Sequence, residues 1–458
     1  MRKIISNIND SYLRKMSIPK LLVLSFLSVI TVGTILLMLP IAVVGKTTSF
    51  IDALFTATSA TCVTGLVTVN VASKYSTFGH IVILLLIQIG GLGLMTFISI
   101  TLLFIRGKLD FKERLLLRDS LNKDNLQNLN DYIKKIIIYS FGFETLGALL
   151  LMLSFIPMFG VIGGIKKSIF LSVSAFCNAG IDVLGANSLI PYSGDLIINI
   201  TIAFLIIAGG LGYAVWFDIH NHLAIFKRVG KYKERFKIHT KLVIRLTLSL
   251  IVIGMVMIFI FEYNNALKGM SLGHKILTSF FNSVTLRTAG FASIDYSVIL
   301  NPTKLIMILF MLIGGSPGGT AGGIKTTTFF LIFLTIYYEF TGNEETMAFN
   351  RHIKKINFIK AYTIFGFYFF CLFVAMLILG FTNSNFLFID LLFEAVSAIG
   401  TVGLSIGITT GLSLLSKIII IILMFIGRLG PITIAYSIMS KRKKERKIKH
   451  PSVEIIVG

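Results

Sequence analysis

Phe55-Thr-Ala-Thr-Ser-Ala-Thr-Cys-Val-Thr-Gly65 is a short, small-residue segment that returns three more times in this 458-residue chain. Its counterparts are Phe170-Leu-Ser-Val-Ser-Ala-Phe-Cys-Asn-Ala-Gly180, Phe280-Phe-Asn-Ser-Val-Thr-Leu-Arg-Thr-Ala-Gly290 and Phe393-Glu-Ala-Val-Ser-Ala-Ile-Gly-Thr-Val-Gly403. Each sets a Phe ten residues ahead of a Gly, and three carry a Ser-Ala pair at one offset (Ser59-Ala60, Ser174-Ala175, Ser397-Ala398). The four glycines lie 115, 110 and 113 residues apart, a period that marks an internal repeat. A second glycine cluster trails each first one: Gly90-Gly-Leu-Gly93, Gly209-Gly-Leu-Gly212, Gly314-Gly-Ser-Pro317 and Gly427-Arg-Leu-Gly430. These begin 25, 29, 24 and 24 residues after the first glycine.

Composition says where such a repeat can live. The chain is 55% hydrophobic and 14% charged, against about 45–50% and about 25% in soluble domains. It carries 43 Lys+Arg against 21 Asp+Glu, a net charge of +22. A nucleic-acid binder is also basic but not this apolar, so the pattern excludes that class and predicts a polytopic membrane protein. The cations cluster: five in 2–20, eight in 106–135, eight in 227–245, four in 351–360 and seven in 441–449. Basic loops stay cytoplasmic, which assigns both termini and three internal loops to the cytoplasm. Between the clusters lie four apolar blocks, each too long for one span of about 20 residues. Each reads as span, interruption, span: 19–41 and 77–105, 134–157 and 195–217, 241–263 and 302–331, 357–382 and 416–440. No cleavable signal peptide is expected ahead of the first span. Cys62, Cys177 and Cys371 all lie in apolar segments and suggest no disulfide framework.

The fold class expected is therefore an all-α polytopic membrane protein, with four units of span, re-entrant pore helix and span around a central pore. The units divide as 1–110, 111–230, 231–345 and 346–440, with a basic tail at 441–458. All four have one orientation, which argues against the inverted repeats of many secondary transporters. Each short segment has about ten helical residues and cannot cross a bilayer. Non-helical backbone at membrane depth persists only when buried in protein or lining a water-filled cavity. Four such stretches meeting on an axis would ring a pore with backbone carbonyls, the arrangement that replaces the water shell of a K⁺ ion. Glycine suits the position because inward-pointing carbonyls need backbone angles that other residues resist. No carboxylate stands in these stretches, so a side-chain charge ring is not expected. The candidate filter residues are Cys62, Val63, Thr64 and Gly65; Cys177, Asn178, Ala179 and Gly180; Arg287, Thr288, Ala289 and Gly290; and Gly400, Thr401, Val402 and Gly403. Arg287 is expected to brace its loop from behind, since a cation on the axis would repel K⁺. The trailing glycine clusters at Gly90 to Gly93 and Gly209 to Gly212 are expected to let helices pack closely.

The four Gly-ended loops resemble those of the Trk/Ktr/HKT superfamily of K⁺ transporters, and the resemblance runs over the whole chain. The stretch Gly314-Gly-Ser-Pro-Gly-Gly-Thr-Ala-Gly-Gly-Ile-Lys325 is similar to that family's intramembrane loop. Eight spans without an extra N-terminal pair look most like the Ktr-type membrane subunit. Glycine at all four filter positions goes, in that family, with K⁺ rather than Na⁺. The resemblance further implies a homodimer and a cytoplasmic ring of nucleotide-binding regulatory subunits, for which the basic loops offer docking ground.

Glycine and proline at the density of 314–325 break a helix, and broken backbone in a membrane marks a cavity or a moving part. The expected gate comprises Gly314, Gly315, Ser316, Pro317, Gly318, Gly319, Thr320, Ala321, Gly322, Gly323 and Lys325, lying below the third filter loop. A phosphate-binding P-loop is excluded because Ile324 separates Gly323 from Lys325. Arg428 replaces the glycine found at Gly91, Gly210 and Gly315. An intramembrane Arg is costly, so it either pairs with a helix-end carbonyl or touches the gate loop. The function expected is passive K⁺ uptake across the plasma membrane, with no enzymatic chemistry and no cofactor in this chain. Alternatives are a Na⁺-coupled K⁺ symporter of the same superfamily, or a membrane scaffold or enzyme without ion flux.

Overall fold

A computed structural model describes residues 18–93, 96, 129–229, 236–342, 347–348, 351–430, 433–435 and 437. Most of 94–105 and 431–440 in the predicted spans, and the tail 441–458, lie outside the described residues.

The repeat becomes four copies of one helical unit. The first contains α1 (Ile18–Met38), α2 (Phe50–Thr61) and α3 (Thr77–Leu92). In the second, α4 (Leu129–Phe176) bends at Gly160, whose φ is 74°, three residues after Pro157, so one continuous element serves as both span and short helix. It is followed by α5 (Leu196–Leu211) and α6 (Tyr213–Val229). The third has α7 (Ile238–Glu262), α8 (Leu272–Thr285), α9 (Asn301–Leu312) and α10 (Thr326–Thr341). The fourth has α11 (Lys355–Thr382), α12 (Phe388–Ile399) and α13 (Leu414–Leu429). A two-stranded antiparallel pair, β1 (Met347–Ala348) with β2 (Arg351–His352), precedes α11.

Local chemistry starts these helices. Ser49, Ser76, Asp195, Ser271 and Ser413 each accept, through a side-chain oxygen, the orphan amide three residues on. The first helix of every unit is long enough to cross a bilayer: Pro19–Met38, Asp131–Phe176, Ile238–Glu262 and Lys355–Thr382. These helices leave large apolar side chains uncovered, among them Val32 and Ile35 on α1, Val252 and Ile260 on α7, and Phe369 and Phe373 on α11. So broad an apolar surface belongs in lipid rather than water. The chain is a membrane-spanning protein.

The second span of the second unit departs from the sequence reading. Residues 195–217 were expected to form one span, but α5 and α6 meet at Gly212 with a bend of 96°. Inside the span 302–331, α9 and α10 are separated by 313–325, where the glycines and proline were expected to break the helix, and α3 and α13 are capped by Gly93 and Gly430. Gly93, Gly212 and Gly430 hold φ of 82°, 85° and 80°, the region that stops a right-handed helix and that L side chains avoid.

The units close on themselves. α3 packs on α4 of the second unit, α5 on α8 of the third, α9 on α12 of the fourth, and α13 on α2 of the first. Two of these junctions carry an ion pair, Lys304 with Asp390 at 2.8 Å and Lys417 with Asp52 at 3.5 Å. The close fit is made by glycines on the second helices. A Cβ at Gly90, Gly209 or Gly427 would sit on the carbonyl of Thr61, Phe176 or Ile399, the end of the short helix in the same unit. Gly427→Ala is therefore expected to destabilise the protein by about 1–3 kcal/mol through overpacking. Gly366→Ala, where a Cβ meets nothing within 4 Å, serves as the control and leaves stability unchanged or raised. Thermal unfolding in detergent, followed by circular dichroism, checks the pair; equal melting temperatures would refute the close-packing account.

Candidate functional site

The four short helices, α2, the end of α4, α8 and α12, deliver the Gly-ended stretches to one place. Each stretch makes the same turn. Val63, Asn178, Thr288 and Thr401 stand two residues ahead of the glycine, and all four adopt positive φ (55°, 60°, 62° and 52°). Such angles are uncommon outside glycine, and for β-branched Val and Thr they are outliers. Three β-branched outliers and an Asn at one repeat position mark a conformation imposed by the surroundings. The glycines themselves stand at φ of 104° (Gly65), 66° (Gly180), 76° (Gly290) and 92° (Gly403).

Contacts between the stretches run in a ring. A Cβ on Gly65 would lie 2.7 Å from the carbonyl oxygen of Ala179; on Gly180, 2.5 Å from that of Ala289; on Gly290, 2.5 Å from that of Val402. On Gly403 it would collide with the carbonyl of Thr64. Each glycine thus faces the backbone of the next unit, and the fourth returns to the first. The carbonyl-bearing residues Thr64, Ala179, Ala289 and Val402 all directly precede the glycine of their own unit.

The recurring serine explains how the turns are held. Ser59 and Ser397 accept the amide N–H of Gly65 and Gly403 at 3.0 and 3.1 Å. Ser174 donates to the carbonyl of Ile181 at 2.6 Å. Where the third unit has Val284 at that offset, Thr285 one residue later donates to the Phe291 carbonyl at 2.9 Å. Asn178 Nδ2 donates to the Arg287 carbonyl at 3.3 Å and ties the second stretch to the third. Cys62, Cys177 and Gly400 are the C-caps of their short helices. Cys177 Sγ lies 3.8 Å from Gln88 Oε1, and Gln88 Nε2 donates to Glu144 at 3.0 Å, a buried cluster that sequence reading missed. The Arg287 side chain is buried, and its Nε and Nη2 have no hydrogen-bond partner among the described residues. Buried hydroxyls of Thr61, Thr64, Thr288 and Thr401 likewise lack protein partners.

Carboxylates near the stretches are turned to other tasks. Asp182 accepts the Leu184 amide at 2.9 Å. Glu394 of α12, also missed from sequence, accepts from Ser405, from Thr409 at 2.9 Å and from the Ile406 amide at 3.2 Å. It fixes the chain leaving Gly403.

The glycine-rich stretch after α9 is closed at its base by the Gly314 amide donating to the Ile324 carbonyl at 2.8 Å. One side rests on the second unit. The amides of Ser316 and Thr320 donate to the carbonyls of Gly210 (2.9 Å) and Gly209 (3.2 Å), and the Tyr213 amide donates to Gly318 at 3.1 Å. Thr320 Oγ1 reaches Phe176 O and Asn178 Oδ1, both at 3.0 Å, and Ser316 Oγ donates to Leu211 O. The bend at Gly212 makes room for this: a Cβ there would lie 2.9 Å from Pro317 O and from Ser316 Oγ. The other side rests on the fourth unit, where a Cβ on Gly322 would strike Thr401 and one on Gly323 would approach Gly400 O at 2.9 Å. The second and fourth units are opposite members of the ring, so the stretch crosses its middle. Ala321 O accepts from Lys325 Nζ at 2.7 Å, which staples the turn to the start of α10. Arg428 joins both alternatives left open by its sequence. It donates to Thr320 O of the crossing stretch, and to Gly90 O and Gly91 O (3.2 Å) at the end of α3.

Comparison with known proteins follows this geometry. The family model described as TrkH, cation transport protein, matches residues 9–447. The Ktr system potassium uptake protein B of Bacillus subtilis (strain 168) is 38% identical over 96% of each chain. The potassium/sodium uptake protein NtpJ of Enterococcus hirae is 36% identical, covering 97% of this chain and 98% of its own. Among solved structures, the potassium transporter TrkH from Vibrio parahaemolyticus superposes with a TM-score of 0.69 over 91% of this chain and 84% of its own. At 17% identity that likeness speaks for the fold.

Thr320→Val removes the two hydroxyl contacts and leaves the backbone bonds of the crossing stretch in place. Hydrogen–deuterium exchange of 314–325 is expected to quicken about tenfold, the effect of losing about 1–1.5 kcal/mol of local stability. Unchanged exchange would show that Thr320 does not anchor the stretch.

Proposed function

We propose a mechanism for a chain that belongs to the TrkH family of cation transport proteins and takes up potassium ions across a membrane. Ions pass along the axis of the four Gly-ended turns, and the stretch 314–325 closes that axis from one side. The protein is a transporter, in keeping with its family, and needs no nucleophile or catalytic base for this task.

One observation carries the reading: four glycines with positive φ face, in cyclic order, the carbonyl of the residue before the next glycine. A ring of backbone carbonyls can replace the hydration shell of K⁺. The filter would comprise Cys62 to Gly65, Cys177 to Gly180, Arg287 to Gly290 and Gly400 to Gly403, with Arg287 held off the axis as a brace. The unpartnered hydroxyls of Thr64, Thr288 and Thr401 support a cation there, since an oxygen can serve an ion it has no protein donor for. The C-terminal ends of the short helices add the negative end of their dipoles.

The gate would be Gly314 to Gly323 with Lys325 and Arg428. Its crossing from the second unit to the fourth, and the bonds of Arg428 to Thr320 O, Gly90 O and Gly91 O, support that assignment. The chain sits in the plasma membrane with both termini cytoplasmic and works as a homodimer. A cytoplasmic ring of nucleotide-binding subunits sets the gate, a reading supported by relatives named as parts of a Ktr system. The 36% identical relative named for potassium and sodium uptake favours a second reading, in which Na⁺ drives or stimulates K⁺ entry.

Expression in cells lacking K⁺ uptake, grown at low K⁺ with and without Na⁺ and the regulatory partner, separates these readings. Rescue without Na⁺ is expected; rescue only with Na⁺ would establish coupling, and no rescue would end the transport reading. Gly290→Ser puts a side chain against Val402 O and is expected to lower K⁺/Na⁺ discrimination about tenfold, equivalent to about 1.4 kcal/mol. Isotope flux in proteoliposomes checks it, and unaltered discrimination would remove Gly290 from the filter. Arg428→Gln gives up charge-assisted bonds of about 1.5–3 kcal/mol and should raise basal flux at least about tenfold. Basal flux equal to wild type would exclude Arg428 from the gate.

A further inference from the structure

The four junctions between units are not chemically equivalent. At the junction of the third and fourth units, Lys304, four residues after the cap of α9, pairs with Asp390. At the junction of the fourth and first, Lys417, four residues after the cap of α13, pairs with Asp52. Asp390 and Asp52 each stand thirteen residues ahead of their filter-position glycine. At the junction of the first and second units the basic position, four residues after the cap of α3, is His80, and the acid position is Lys167. The second and third meet through neutral residues, Asn199 and Leu277, at these positions. One junction therefore carries a lysine where two others hold an aspartate, facing a histidine in place of their lysine.

A cavity of about 390 Å³ lies at that junction. Lys166, Lys167 and His80 line it, with Ile81, Leu84 and Ile169 among its apolar walls, and no carboxylate does. Lys167 Nζ donates to Val183 O at 2.7 Å, which engages one of its three N–H groups, and it lies 4.4 Å from the centre of the Phe159 ring. The nearby Asp182 carboxylate is bound to its own backbone. His80 Nε2 lies 3.0 Å from Val71 O. Lys166 is exposed and has no hydrogen bond or ion pair among the described residues. Ile81 and Ile169 are 51% and 42% exposed, so the apolar wall runs on into the surface that faces lipid.

We propose that this cavity binds an anionic phospholipid, its phosphate on Lys166 and Lys167 and an acyl chain along Ile81, Leu84 and Ile169. The lipid supplies the anion that Asp52 and Asp390 supply at the other two junctions, and so clamps α3 to the short helix that ends α4. A free anion satisfies the cations but leaves the apolar wall uncovered; a zwitterionic lipid covers the wall and brings no net charge. Two lysines near a phosphate are together worth about a thirtyfold gain in binding.

The full chain purified in neutral detergent tests this by native mass spectrometry, in separate arms with phosphatidylglycerol, phosphatidylcholine and inorganic phosphate. Wild type is expected to retain phosphatidylglycerol, to ignore phosphatidylcholine and to keep its lipid in the presence of phosphate. The K166Q/K167Q double variant should weaken retention roughly thirtyfold. K166Q alone, a change at an exposed side chain, should weaken it about fivefold with an unchanged melting temperature. Lys167→Asp gives this junction the acid of the other two and should abolish retention. Equal retention of both lipids, displacement by phosphate, retention unaffected by the double variant, or no retained lipid in wild type would each overturn the proposal. None of these readouts depends on ion flux, so they stand apart from the transport reading.

Discussion

Each of the four central glycines can stand where it does only because its neighbours in the ring are glycines too. The α-carbons of Gly180 and Gly403 both lie within reach of a single methyl group added to Gly65, and Gly290 meets Gly180 and Gly403 in the same way. A side chain on one would push against the backbone of the next. Within each unit the helical frame then serves this constraint. The short helices bring the turns in, the serine or threonine hydroxyls hold them, and the second helices press glycines onto the short-helix ends. Strain at Val63, Asn178, Thr288 and Thr401 is the local cost, of order 1–3 kcal/mol each, carried by the buried contacts around them.

The repeat made much of this legible before any coordinates. Gly65, Gly180, Gly290 and Gly403 recur at one period, and their surroundings have the small-residue character of backbone packed on backbone. The Ser-Ala pair was visible as a pattern, while its purpose was not. A hydroxyl at a fixed offset signals a brace only once the chain is known to turn back over it. Thr285 was hidden altogether, because it does the work one residue out of register. The bend in the second unit's second span was missed for a related reason. Leu211 keeps the apolar count high across the glycine cluster, and hydropathy carries no trace of the positive φ at Gly212.

Tertiary partners decided what remained. Arg428 replaces a glycine in its cluster, and sequence offered two exclusive roles for it. The structure joins them, because the end of α3 and the crossing stretch lie within one guanidinium's reach. Planar, multidentate donation of this kind is what distinguishes Arg from Lys. Lys325, assigned to the same group, binds the crossing stretch from within, through Ala321 O. The two cations are thus not interchangeable: one links three units, the other shapes a loop.

The crossing stretch is held by a countable set of bonds. Ser316 and Thr320 donate to the second unit, Tyr213 donates back, Gly314 closes the base, and Arg428 holds Thr320 from the far side. At about 1 kcal/mol net for each neutral bond and about 1.5–3 kcal/mol for the guanidinium, with the Ser316 and Thr320 hydroxyls adding to them, the stretch is held by several kcal/mol. A regulator needs about 5.5 kcal/mol of differential binding to carry a two-state element from 1:99 to 99:1. For a gate of the kind proposed, a stretch held much more loosely would stand open without a signal, and one buried like the core of α12 would not answer to a partner at all. Its glycines keep it between these limits. They bring backbone close enough for hydrogen bonds on both sides, yet bury little apolar side-chain surface that release would have to expose. The residue types that break the helix are therefore the ones that hold the stretch by backbone bonds rather than by a buried core.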